Sequence, residues 1–143
     1  MRPVTLAQAY ERIIAGEPRE KALAELLDTF YLASTPQAQL DALVEEPPPT
    51  GDPRLDALAG AIAEYLARQY DLPCIPAWAF TPQRFLDRAW HLTSIDSPGM
   101  REYLTYASPA EFKSRNIFTE ERPLRRARAH LAGKKKSVPV DSA

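Results

Sequence analysis

The sequence predicts an all-α fold, and three observations point to it. Apolar residues recur at helical spacing in one segment after another. Five Ser, Thr or Asp residues stand directly before a proline, an arrangement in which the first residue caps a helix and the proline fills its first turn, where the missing N–H costs nothing. No segment alternates apolar and polar residues between hairpin turn signals, so little or no strand is expected, at most a short piece near 75–80 or 116–119. The expectation is one compact multi-helix domain over residues 1–132, with about seven or eight short helices and a Pro-rich extended strap.

Leu6, Tyr10, Ile13 and Ile14 form one stripe between Thr5, a natural cap, and Gly16, able to supply the left-handed turn that ends a helix. From Pro18 to about Ser34, Leu23, Leu26, Leu27, Phe30 and Tyr31 repeat opposite a charged face. A third helix opens at Thr35-Pro36 and carries Leu40, Leu43 and Val44. The stretch 45–52 (EEPPPTGD) is an internal spacer, because three consecutive prolines favour an extended conformation. Asp52-Pro53 starts the longest pattern, to about Tyr70. Leu55, Leu58, Ile62, Tyr65, Leu66 and Gln69 lie on its inner side, and five alanines keep it slim enough for the centre of the fold.

Residues 71–80 (DLPCIPAWAF) read as the strap, held extended by Pro73 and Pro76 and anchored by Trp78, with Cys74 an inert buried thiol. Thr81-Pro82 starts a helix with Phe85, Leu86, Ala89 and Trp90, and His91 bonds carbonyls at its end. Ser97-Pro98 starts another with Met100, Tyr103, Leu104 and Ala107. Ser108 and Glu111 form a capping box for a short helix that ends near Asn116. A last helix follows Thr119, with Leu124, Ala127 and Leu131 inside and Arg122, Arg125, Arg126 and Arg128 outside. His130 complements its C-terminal dipole, and the tail 133–143 is disordered.

The 14 prolines against 5 glycines thus mark helix starts rather than disorder. The net charge of −1 hides an asymmetry: residues 1–66 carry 11 acidic and 5 basic side chains, and residues 67–143 carry 8 and 13. Nine of those basic residues lie between Lys113 and Lys136. This block suits a solvated helix face, an acidic protein surface or nucleic acid. A pI near 6.1 weakens the nucleic-acid option.

Catalytic patterns are missing. There is no Gly-rich phosphate loop, no G-x-S-x-G elbow and no H-E-x-x-H pair, and one cysteine with two histidines leaves little for a metal site. No enzyme activity and no cofactor are expected. Nor is there a membrane-length apolar run or a signal-peptide core, so a soluble, cytoplasmic protein is expected. Binding is the better reading. Trp78, Phe80, Phe85 and Trp90 form a satellite core or, with Arg84 and Arg88, a binding hot spot. Phe112, Ile117 and Phe118 should be buried, with Lys113 and Arg115 facing outward. A helix-turn-helix built from the last two helices, with the arginine-rich helix as reader, is the alternative geometry.

The run Ser108-Pro109-Ala110-Glu111-Phe112 through Arg115-Asn116-Ile117-Phe118, followed by Leu124-Arg125-Arg126-Ala127, resembles the C-terminal signature of a family of small bacterial proteins. Stretches 50–67 and 72–79 are similar to that family as well, so the resemblance covers about Glu25 to Ala127. The chain departs from the pattern at Ala89-Trp90-His91-Leu92, where the family carries Pro-Trp-Phe. These proteins accompany nucleotidyltransferase-like proteins of the AbiEii type in arrangements that look like toxin–antitoxin pairs. The resemblance implies an antitoxin that binds and neutralises such a toxin by direct protein contact. The residues expected to meet the partner are Lys113, Arg115, Arg122, Arg125, Arg126, Arg128, Trp78 and Phe80. A DNA-binding autoregulator using the basic C-terminal helix is the alternative.

Overall fold

Helix α4 (Pro53–Gln69) is the axis of the fold, and its composition explains why. Ala57, Ala59, Ala61, Ala63 and Ala67 are buried along with Leu58, Ile62 and Leu66, so the helix is enclosed on several sides, as the sequence predicts. Gln69, expected on the inner side, is exposed. The computed structural model describes residues 3–126, with six α-helices, two 3₁₀ turns and a two-stranded ladder among them. The all-α class holds, with six helices among the described residues where seven or eight were expected over 1–132.

Three N-terminal helices, α1 (Leu6–Ile14), α2 (Arg19–Leu32) and α3 (Pro36–Val44), pack on one another and share the hydrophobic core with α4. The Thr5 hydroxyl accepts the Gln8 N–H at 3.1 Å, and Thr35 accepts that of Ala38 at 3.1 Å. Gly16 takes φ +109°, the left-handed turn expected of it. The Tyr10 hydroxyl donates to the Leu55 carbonyl at 2.6 Å and ties α1 to α4. The Pro-rich spacer runs extended and buries Pro47. Its end is fixed where the backbone N–H and hydroxyl of Thr50 both donate to Asp56 Oδ1, at 3.0 and 2.8 Å.

The strap follows as expected in one respect and not in another. Trp78 is buried and its indole N–H donates to the carbonyls of Leu43 and Val44, both at 3.1 Å. Cys74, however, is exposed. The 3₁₀ turn Ala77–Phe80 carries Trp78 and Ala79 inward and so takes up the apolar load of the segment.

The helix expected after Thr81-Pro82 is a single 3₁₀ turn, Pro82–Arg84, and Thr81 gives it no side-chain cap. Beyond it the backbone finds other partners. Leu86 N–H bonds the Arg115 carbonyl, Trp90 N–H that of Asn116 and Leu92 N–H that of Phe118, at 3.3, 2.8 and 2.8 Å. This makes a parallel ladder of β1 (Trp90–His91) on β2 (Ile117–Phe118). One of the two places proposed for a short strand is therefore a strand, and the other, 75–80, is not. The His91 ring stacks on Phe118 at 5.1 Å rather than capping a helix.

Helix α5 (Pro98–Ala107) begins at Ser97, whose Oγ accepts the Met100 N–H at 3.1 Å. It buries only Leu104, and Tyr103, expected inside, is exposed. The capping box at Ser108 is absent from α6 (Ala110–Lys113). Ser108 Oγ instead accepts the Thr119 N–H at 2.8 Å and reaches the Leu104 carbonyl, joining α5 to the chain after β2. The chain reverses at Asn116, whose φ of +63° is the left-handed conformation asparagine tolerates.

From Thr119 to Arg126 there is no helix. Leu124 is buried as expected, its carbonyl accepts the Tyr31 hydroxyl at 2.9 Å, and Arg126 grips Asp28. The rest of the expected last helix, with Arg128 and His130, and the tail 133–143 lie outside the described residues. Among the described residues no helix is long and apolar enough to cross a membrane.

Candidate functional site

Two arginines belong to the interior. Arg115, expected to face outward, has no exposed side chain. Its Nη1 meets Glu64 Oε1 at 2.6 Å and the Glu111 carbonyl at 2.8 Å, and its Nη2 donates to the Ala79 carbonyl at 2.7 Å. The guanidinium also lies over Phe85 at 4.6 Å and near Phe80 at 5.6 Å. Glu64 leaves Oε2 for Arg68, at 2.9 Å. Arg84 is the second case. It sits over Trp78 at 4.9 Å, donates to the carbonyls of Asp56 and Pro47 at 3.1 Å each, and meets Glu46 at 2.9 Å. Each arginine donates to two backbone carbonyls and reaches α4: Arg115 ties the strap at Ala79 to Glu64, and Arg84 ties the spacer at Pro47 to Asp56. Between them stands Gly60, where a Cβ would come within 2.8 Å of Arg84 Cβ and 3.0 Å of the Ala79 carbonyl oxygen.

With those two assigned to the core, four of the other arginines line two adjoining hollows. A hollow of about 520 Å³ lies between the first turns of α2 and α4 and the segment after β1, lined by Arg19, Glu20, Asp52, Arg54, Trp90 and Thr93 among others. A second hollow of about 230 Å³ adjoins it, sharing Arg19, Glu20 and Leu92, with Leu23, Leu27 and Phe112 in its floor and Arg125 and Arg126 at its edge. Together they make a groove with an apolar floor and four arginines drawn from both ends of the chain.

The four are not equivalent. Arg126 is engaged by both Asp28 oxygens, at 3.0 and 3.2 Å, and that bond holds its guanidinium above the ordinary arginine range. Arg19 pairs with the largely exposed Glu20 at 3.0 Å. The Arg54 guanidinium lies 5.4 Å from the Trp90 ring centre, and that of Arg19 5.7 Å from it. Arg54 and Arg125 make no ion pair among the described residues.

A scan of protein-family models and searches of curated proteins and solved structures returned no match for this chain.

Of the residues expected at a partner surface, Arg125 and Arg126 lie in the groove. Lys113 and Arg122 are exposed but do not line it. Phe80 is exposed, Trp78 is core, and Arg115 is core. Sequence reasoning missed Arg19, Arg54 and Trp90 as a unit. One signal was available: Arg19 and Arg54 each follow a helix-starting proline, and a cation in a helix's first turn opposes the macrodipole preference. No group of three or more His, Cys, Asp or Glu able to hold a metal occurs among the described residues.

Proposed function

We propose that this protein is a non-catalytic binding module, an antitoxin-like protein that covers a nucleotidyltransferase-type toxin by direct contact. The observation that carries the reading is the groove. Arg54 and Arg125 line it and make no ion pair among the described residues, and its apolar lining includes Leu23, Leu27 and Leu92. An acidic, partly apolar partner segment satisfies both features: carboxylates meet the guanidiniums in charge-assisted bonds while apolar side chains leave water. Nucleotidyltransferases carry catalytic carboxylates, and a cationic groove placed over them would exclude the metal and phosphate groups they need. The resemblance of the 108–127 segment to antitoxin-like proteins supports the same direction.

Co-expression with a nucleotidyltransferase-like protein encoded next to it tests the reading. Co-elution of the two and relief of growth arrest are the expected results. Unchanged toxicity without co-elution would overturn it. Retardation of operator DNA at low salt, with no effect on the toxin, would favour the regulator instead.

A further inference from the structure

We propose that the hollow beside Trp90 is a binding site for a small diphosphate-bearing molecule. Two guanidiniums line this 520 Å³ space, those of Arg19 and Arg54, and each lies over the Trp90 ring, 5.7 and 5.4 Å from its centre. A cation–π contact needs no hydrogen-bond acceptor, so the N–H donors of Arg54, which bond no other described residue, are available to an oxyanion. The contact also restrains both side chains near the ring before the ligand arrives, which reduces the ordering that binding requires. Trp90 itself is 9% exposed, so the indole holds the arginines in place and offers no open face to a base.

Two carboxylates line the same space, and their engagements differ. Asp52 Oδ1 accepts the Arg54 backbone N–H at 2.9 Å as the cap of α4. Glu20 Oε1 holds Arg19 at 3.0 Å, with its side chain 76% exposed. Arg54 spends no side-chain donor on another described residue and is the primary phosphate ligand. Arg19 is the second, shared with Glu20. Thr93 and Ser94 line the same wall, and the Thr93 hydroxyl, which accepts the Ile95 N–H at 3.1 Å, keeps its own proton to donate. Two cationic forks and two hydroxyls suit two adjacent phosphoryl groups, each fork taking one bidentately.

The site stands without any partner protein, so its test uses the isolated chain and its failure leaves the antitoxin reading untouched. The two tryptophans give two indole N–H signals in a proton–nitrogen NMR spectrum. The Trp78 N–H is committed to carbonyls 35 and 34 residues away and serves as the internal control. Titration with sodium pyrophosphate is expected to move the Trp90 signal and leave that of Trp78, saturating with a dissociation constant at or below about 1 mM. Arg54→Ala, an exposed position, should weaken binding about tenfold or more while the spectrum stays folded. Glu20→Gln should tighten it by about two- to fivefold, since it frees Arg19 and removes a like charge. ADP in place of pyrophosphate asks whether a nucleoside adds affinity to the diphosphate. The proposal is overturned if Trp90 shows no saturable shift, if sodium chloride of equal ionic strength reproduces it, or if Arg54→Ala binds as the parent does.

Discussion

Arg115 and Glu64 form an ion pair closed to solvent: Nη1 lies 2.6 Å from Oε1, and the two side chains are 0% and 9% exposed. The pair joins the segment leading into β2 to the middle of α4, and the same guanidinium holds the strap through the Ala79 carbonyl. Three parts of the fold that share no regular hydrogen-bond ladder meet at one side chain. Breaking such a pair strands a buried charge. Arg115→Ala and Glu64→Ala are each expected to lower stability by about 3–5 kcal/mol, read from urea midpoints. A double replacement should cost much less than the sum of the two. Full additivity would show the residues to be uncoupled.

Gly60 gives a test with an unintuitive sign. Alanine is favoured over glycine inside a helix by about 1 kcal/mol. Here the added Cβ meets Arg84 Cβ at 2.8 Å and a backbone carbonyl at 3.0 Å, neither of them the free end of a side chain. Gly60→Ala is therefore expected to destabilise by about 1–3 kcal/mol, measured by thermal or urea unfolding. A more stable variant would mean that the strap and α4 are not in close contact.

Alkaline pH should unfold the protein from its tyrosines. Burial raises Tyr10 and Tyr31 above the ordinary tyrosine range, and for Tyr31 the neighbouring Tyr70 adds to the rise. A tyrosine with a raised folded-state pKa stabilises fully below its unfolded value near 10 and loses that contribution as pH climbs toward the folded value. Stability should hold to about pH 9.5 and then fall by about 1.4 kcal/mol per pH unit for each such tyrosine. Tyr10→Phe should make the fall shallower, at the cost of the bond to the Leu55 carbonyl. An unchanged slope in that variant would exclude Tyr10 as the cause.

The segment 119–126 is fastened to α2 at two points, Tyr31 to the Leu124 carbonyl and Arg126 to Asp28. The Arg126 side chain is 39% exposed, so its pair contributes only about 0.5–1 kcal/mol. Asp28→Asn should leave global unfolding nearly unchanged while amide exchange in 119–126 accelerates several-fold, because local opening needs less energy than global unfolding. Equal protection in parent and variant would show that the ion pair does not hold the segment.

Most of the helical skeleton was legible because its signals are local. Thr5, Thr35, Asp52 and Ser97 cap the helices they were expected to cap. Thr81 and Ser108 carry the same signature but give no side-chain cap to the turn or helix that follows, because their hydroxyls have other partners: Trp78 for Thr81, Leu104 and Thr119 for Ser108. The chain after Arg84 pairs with 115–118, and the Ser108 hydroxyl is claimed by Thr119. A two-residue parallel ladder between positions 27 apart leaves no periodicity to read. Arg115 was misplaced for a related reason. Its charge argues for the surface, and only the tertiary fold reveals Glu64, 51 residues earlier, waiting inside. The motif that carries the family resemblance contains Ser108, Phe112, Arg115, Asn116 and Ile117, all used here to close the fold. The groove draws on Arg19, Arg54 and Arg125, which stand far apart in sequence.

In the proposed complex Arg54 and Arg125 take the partner. The direct measurement is the dissociation constant between this protein and its adjacent nucleotidyltransferase-like partner, by calorimetry, for the parent and for the double charge reversal Arg54→Glu with Arg125→Glu. Both positions are exposed, so the variant should fold normally. The account predicts a loss of affinity of at least about a hundredfold and a steep salt dependence in the parent. Parent-like affinity in the double variant would contradict it.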